Sequence, residues 1–128
     1  MIVGLLFVAA FQAPSPATLD DPQETACYAE AQSPKGAERC AREALARAES
    51  SIDLFWRNAL AEYGNNNPRS AKLLKMAQGD WLKYRRAWCD VVAHDNHGSN
   101  PSTNAGCQAK LTRQRTQAIL ELIQGTNE

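Results

Sequence analysis

Apolar residues recur along most of the chain at helical spacing. Ala41, Leu45, Ala48, Ile52, Phe55, Ala59 and Tyr63 step by four and three, and Trp56 and Leu60 widen the stripe. That is the signature of a helix with one buried face. Leu74, Ala77, Trp81, Tyr84, Trp88 and Val91 repeat the pattern, and a weaker third series holds Cys107, Leu111, Ala118 and Leu122, flanked by Leu120 and Ile123. On this pattern Trp81, Tyr84 and Trp88 are core residues first and a binding platform only second.

The punctuation between the stripes agrees with them. Ser33-Pro34, Asn67-Pro68 and Asn100-Pro101 each place a capping side chain before a proline, which suits the N-cap and first position of a helix. Gly64, Gly98 and Gly125 fall where the same segments should close, since glycine tolerates the left-handed backbone that often follows a helix. The starts recur every 33 or 34 residues, yet each period holds one long helix, so a tetratricopeptide array does not fit. Short polar connections make successive helices antiparallel neighbours. The predicted fold is therefore all-α: an antiparallel three-helix bundle over residues 34–124. Residues 18–33 form an acidic lead-in in which "ETACYAEAQ" adds a short helical turn.

The first residues have a different character. Ile2 to Phe11 is apolar, and two prolines follow in "APSPA". A membrane span needs about 20 apolar residues, so a secretory signal peptide over residues 1–17, cleaved between 10 and 17, fits better. The competing reading is a buried amino-terminal strand or helix. Cys27 lies too far beyond the apolar run to carry a lipid anchor. The expected product is periplasmic or secreted, with no stable membrane insertion after cleavage.

Charge narrows the partners. Lys plus Arg equals Asp plus Glu at 14 each, so there is no overall basic field to draw nucleic acid. Locally, Asp20, Asp21, Glu24 and Glu30 make the lead-in acidic, while Arg69, Lys72, Lys75, Lys83, Arg85 and Arg86 against Asp80 make the second helix basic. Short clusters of this kind are usually solvated faces and internal pairs.

Export also decides how to read the cysteines. Cys27, Cys40, Cys89 and Cys107 include no C-x-x-C pair, so in an oxidising compartment they read as two disulfides rather than a zinc or redox site. The helix layout puts all four at one end of the bundle. Local pairing, Cys27 with Cys40 and Cys89 with Cys107, would contribute about 3 kcal/mol per bridge on the chain-entropy model. Topology leaves crossed pairing open.

The stretch after the second helix, "HDNHGSN", invites a chemical reading. His94, Asp95 and His97 are metal-ligand types, but three ligands within four loop residues rarely converge without a fourth. A Ser99, His97, Asp95 triad fails because neighbouring loop residues cannot orient a base and still expose the nucleophile. The reading is accordingly no enzyme, no metal and no cofactor. Binding suits this loop better: a Cys89 to Cys107 bridge would clamp both ends and present His94, Asp95, His97, Ser99 and Asn100 at reduced ordering cost.

Together, "AQGDWLKYRRAWC", the "GS" that follows, and "CQAKLTRQRTQAIL" resemble the LprI-type lysozyme-inhibitor domain family. The resemblance rests on Ala77, Gln78, Trp81, Tyr84, Arg85, Ala87, Cys89, Gly98, Ser99, Cys107, Leu111, Thr112 and Arg115, with Cys27, Cys40 and Ala41 upstream. It covers roughly residues 25–122 and implies an exported helical protein with a protein partner, a lysozyme being the first candidate. Gln78, Trp81, Tyr84, Arg85, Gly98, Thr112 and Arg115 are its structural motif positions. Arg85 and Arg115 fall near the inner face, where each should pair with a carboxylate, and Glu49 comes opposite Arg85. The loop would enter a cleft lined by sugar-binding groups and two catalytic carboxylates. The alternative is an exported helical adaptor that docks an envelope protein or acidic surface through an exposed face such as Arg69 to Lys75.

Overall fold

The computed structural model describes residues 20–95 and 101–125. The leader and its cleavage region lie outside the described residues, as do His97, Gly98, Ser99 and Asn100. The described residues form four helices and no strand: α1 (Pro22–Glu30), α2 (Pro34–Asn66), α3 (Pro68–Asp95) and α4 (Pro101–Gly125).

The capping chemistry sets three of the four starts. The Ser33 hydroxyl accepts from the Gly36 N–H at 3.0 Å, and the Asn67 side chain accepts from Arg69 N–H at 3.0 Å. Asn67 also ends α2, because its own N–H bonds the Tyr63 carbonyl at 2.9 Å. One residue thus terminates one helix and caps the next. The chain turns there without the left-handed glycine expected at Gly64, which sits inside α2 while Asn67 takes extended backbone at φ −159°. The lead-in is more than a turn. Asp21 accepts from the Gln23 and Glu24 N–H groups at 2.9 and 3.2 Å, with Pro22 at the first position, so α1 starts, like α2 and α3, with a capping side chain before a proline.

Cross-links fix the directions. Glu49 of α2 meets Arg85 of α3 at 3.2 Å, Gln78 of α3 meets Arg115 of α4 at 3.1 Å, and Tyr63 of α2 reaches the Leu122 carbonyl of α4 at 3.4 Å. So α2 and α4 run parallel and α3 runs against both. The most extensive packing is between α2 and α4. At one end Ile52, Ala59 and Ile119 form a buried cluster, against which Phe55, Trp56, Leu74, Trp81 and Ile123 pack. At the other end the buried side chains are small: Cys40, Ala41, Ala44, Cys89, Ala93, Ala105 and Ala109. Small side chains let the backbones approach, and the disulfides tie that end together.

The α2 stripe is buried or half-buried throughout, but two expectations need correction. On α3, Tyr84, Trp88 and Val91 are 53%, 48% and 50% exposed. The inward face is Leu74, Gln78, Trp81, Arg85, Cys89 and Val92. On α4, Ala118 and Leu122 are exposed, and the inward positions are Ala105, Ala109, Thr112 and Ile119. The cause is polar: Gln78, Arg85 and Thr112 face inward because they bond one another's helices, which rotates the apolar stripe of α3 partly out of the core.

Tertiary links hold α1 in place. Cys27 is disulfide-bonded to Cys40 with the Cα atoms 5.6 Å apart. While one Asp21 oxygen caps α1, the other accepts from Arg47 at 2.8 and 3.0 Å, and Glu24 pairs with Arg113 of α4 at 3.2 Å. Among the described residues no helix is long and apolar enough to cross a membrane.

Candidate functional site

Two assemblies on α3 and α4 hold most of the residues singled out by the sequence. The first is internal. Trp81 has two guanidiniums over its ring, Arg85 at 5.3 Å and Arg115 at 5.9 Å from the centroid, close enough for the ring to attract both cations. Arg85 donates to the Thr112 hydroxyl at 2.9 Å and pairs with Glu49. Thr112, fully buried, donates its own hydroxyl hydrogen bond to the Gln108 carbonyl at 2.7 Å. Among the described residues Arg115 meets no carboxylate; its Nε donates to the Gln78 amide oxygen, and burial lowers its pKa. The Arg85 Nε is buried with no partner, a cost the remaining bonds of that side chain offset. Gln78, Trp81, Arg85, Thr112 and Arg115 therefore form one structural cluster that locks α3 to α4. Tyr84, from the same motif, points outward.

The second assembly is at the cysteine end and faces solvent. Cys89 and Cys107 are disulfide-bonded, again with Cα atoms 5.6 Å apart. Beside the bridge, Asn104 donates to Asp90 at 2.8 Å and accepts from Gln108 at 2.6 Å. Both feet of the α3–α4 connection are thus tied. His94 and Asp95 are exposed on the last turn of α3, next to each other at the entry to the connection. His97, Ser99 and Asn100 lie outside the described residues, so the structure brings together only the first two of the five loop positions.

An open groove of about 640 Å³ runs beside this bridge between α1, α3 and α4. Tyr28, Trp88 and Leu111 supply its apolar walls; Ser102, Lys110 and Gln114 supply polar groups. Trp88 stacks on Tyr84 at 6.3 Å between centroids and 12° between planes. The Tyr28 phenol is held above its ordinary pKa, first by burial and then by the nearby Glu24 charge. Sequence reasoning missed this groove, because Trp88 and Tyr84 were placed in the core and Tyr28 in a lead-in with no tertiary position. The available signal was Asp21-Pro22, a fourth capping pair that marks α1 as a full helix.

Among the described residues no three His, Cys, Asp or Glu side chains gather as a metal site, and all four cysteines are in disulfides. What remains is an aromatic surface, a cation, several hydroxyl and amide groups, and two exposed side chains at the mouth of a clamped connection.

Comparison with known proteins gives three findings. A family profile described as lysozyme inhibitor LprI matches residues 26–119. A protein of Rhizobium meliloti (strain 1021), itself described as uncharacterised, is similar at 38% identity over 53 residues. That stretch is 40% of this chain and 38% of the relative, so the match spans well under half of the relative's length. No solved structure matches the chain.

Proposed function

The chain belongs to the lysozyme inhibitor LprI family, and on that premise we propose that it is an exported binding protein that seats the α3–α4 end of an up-down-up helical bundle over the cleft of a lysozyme. It acts by covering, with no chemistry of its own. The observation that carries this reading is the Cys89–Cys107 bridge. With both feet fixed, the connection holding His97, Ser99 and Asn100 loses less conformational freedom on binding than a free loop would. Its imidazole, hydroxyl and amide groups suit a cleft built to hold sugars between two carboxylates. His94 and Asp95 extend the same contact onto α3.

Export supports the reading independently. The apolar run from Ile2 to Phe11, followed by prolines, has the form of a signal peptide, and two disulfides with no free cysteine among the described residues suit the periplasm or the medium.

A second reading of the contact surface has its own observation. Trp88 and Tyr84 are stacked and about half exposed beside the bridge, and exposed Trp and Tyr are the side chains that most often anchor a protein interface. In this version the groove, not the tip of the connection, makes the main contact. The test common to both is residual activity of several lysozyme classes with the purified, oxidised chain. Inhibition of at least one class at near-stoichiometric concentration is expected, and reducing the bridge should weaken it. Full activity of every class would end the proposal.

A further inference from the structure

The outer face of α3 carries charge that the fold does not use. Arg69, Lys72, Lys75, Lys83 and Arg86 are all exposed, and at 100° per residue they fall within about a third of the helix circumference, along about 26 Å of its length. None of the five belongs to an ion pair among the described residues, whereas Arg39, Arg42 and Arg57 on α2 each meet a carboxylate four residues away. Their placement does not serve the helix either. Arg69 and Lys72 crowd the N-terminal end, where the first turn has no acidic residue and positive charge opposes the helix dipole. Asp80 lies at the edge of the arc, and Asp90, one turn beyond Arg86 on the same face, is held by Asn104.

We propose that this face is a docking surface for an anionic phospholipid membrane. The inward side of α3 is already buried against α2 and α4, so the helix can lie flat on a surface without leaving the bundle. Five cations spread along one straight face match negative charge that is equally extended, as lipid phosphates are, and long Lys and Arg stems reach an interface while keeping their charges in the headgroups. Met76 within the arc and Leu82 at its edge are 57% and 44% exposed. Neither is accounted for by packing, and both suit the apolar boundary just below lipid headgroups. Gly79, at mid-arc, adds no side chain, with open space where a Cβ would project. The association is peripheral and electrostatic, and it stands whether or not the chain inhibits a lysozyme.

The test is co-sedimentation of the mature, oxidised chain with phosphatidylcholine vesicles, with and without phosphatidylglycerol. The chain should pellet only with the phosphatidylglycerol vesicles and should be released as NaCl approaches about 1 M, where the screening length is about 3 Å. Lys72→Gln with Lys75→Gln, or Lys83→Gln with Arg86→Gln, should each lower partitioning about 30-fold. Removing the same charge from α2, by Arg39→Gln with Arg57→Gln, should change it less than about threefold. Wild-type chain that ignores phosphatidylglycerol, or α2 variants as damaging as α3 variants, would overturn the proposal. So would binding to polyglutamate without binding to vesicles, which would make the partner an acidic protein. Lysozyme inhibition in vesicle-free solution is read on the same variants: it should be unchanged, and its loss would make this face the lysozyme contact instead. Absence of inhibition in the wild type leaves the vesicle result to stand on its own.

Discussion

Trp81 and Trp88 are seven residues apart on α3, two turns of the same helix, so their side chains point in nearly the same direction. Trp81 is half-buried, packed against the core cluster and in contact with the guanidiniums of Arg85 and Arg115. Trp88 is 48% exposed and, among the described residues, stacks on its own helix neighbour Tyr84. The difference comes from the facing helix. Opposite Trp81, α4 offers the long side chain of Arg115 over the ring; Trp88 instead lines the open groove between α1, α3 and α4. Hydrophobic spacing identifies the direction a side chain takes. It does not say whether anything will cover it.

The contrast makes a quantitative prediction. Trp81→Ala should cost about 3 kcal/mol, because it removes apolar burial and leaves two guanidiniums without their ring. Trp88→Ala should cost under about 1 kcal/mol, as expected for a side chain that is half in water. Urea unfolding monitored by far-UV circular dichroism measures both. Equal losses would mean that Trp88 is covered in solution, and the groove would then not be a surface.

Acid should loosen the helix that completes the groove beside Trp88. Burial pushes the Asp21 carboxyl up, but the bonds it accepts from Arg47 and from the Glu24 and Gln23 N–H groups outweigh that and leave its pKa below the ordinary value. A depressed pKa means the stabilisation is complete above about pH 4 and is lost as pH falls through the lower, folded-state value. Since Asp21 both caps α1 and pairs with Arg47, its protonation loosens the helix that brings Tyr28 to the groove. Asp21→Asn keeps a capping oxygen and removes the charge, so it should lower Tm by about 3 °C at pH 7. The gap from wild type should close below pH 4. A gap that persists in acid would show that the charge is not what holds α1.

Much of this architecture was readable from residue types. Ser33-Pro34, Asn67-Pro68 and Asn100-Pro101 locate the starts of α2, α3 and α4, because a capping side chain before proline has few other uses. Asp21-Pro22 has the same form, but no apolar period follows it: α1 buries no residue fully and depends on Cys40, Arg47 and Arg113 from distant parts of the chain. The Arg85–Glu49 pair followed from counting around the α2–α3 turn. Arg85 was legible as an inward position, but the rest of the inward face of α3 was not, since Gln78 counts as polar until Arg115 is known to stand opposite. The groove was less legible still. It needs three helices in place at once, and no local pattern reports that.

The most direct test of the central claim, that the disulfide-tied end of α3 and α4 is the lysozyme-binding surface, is inhibition by two variants compared with wild type. His97→Ala with Ser99→Ala perturbs the connection, and Trp88→Ala perturbs the adjoining groove. Loss of inhibition by about tenfold or more in at least one, with Tm nearly unchanged in both, is the predicted result. Wild-type inhibition from both variants, in a protein that does inhibit, would contradict the claim and move the binding surface elsewhere on the molecule.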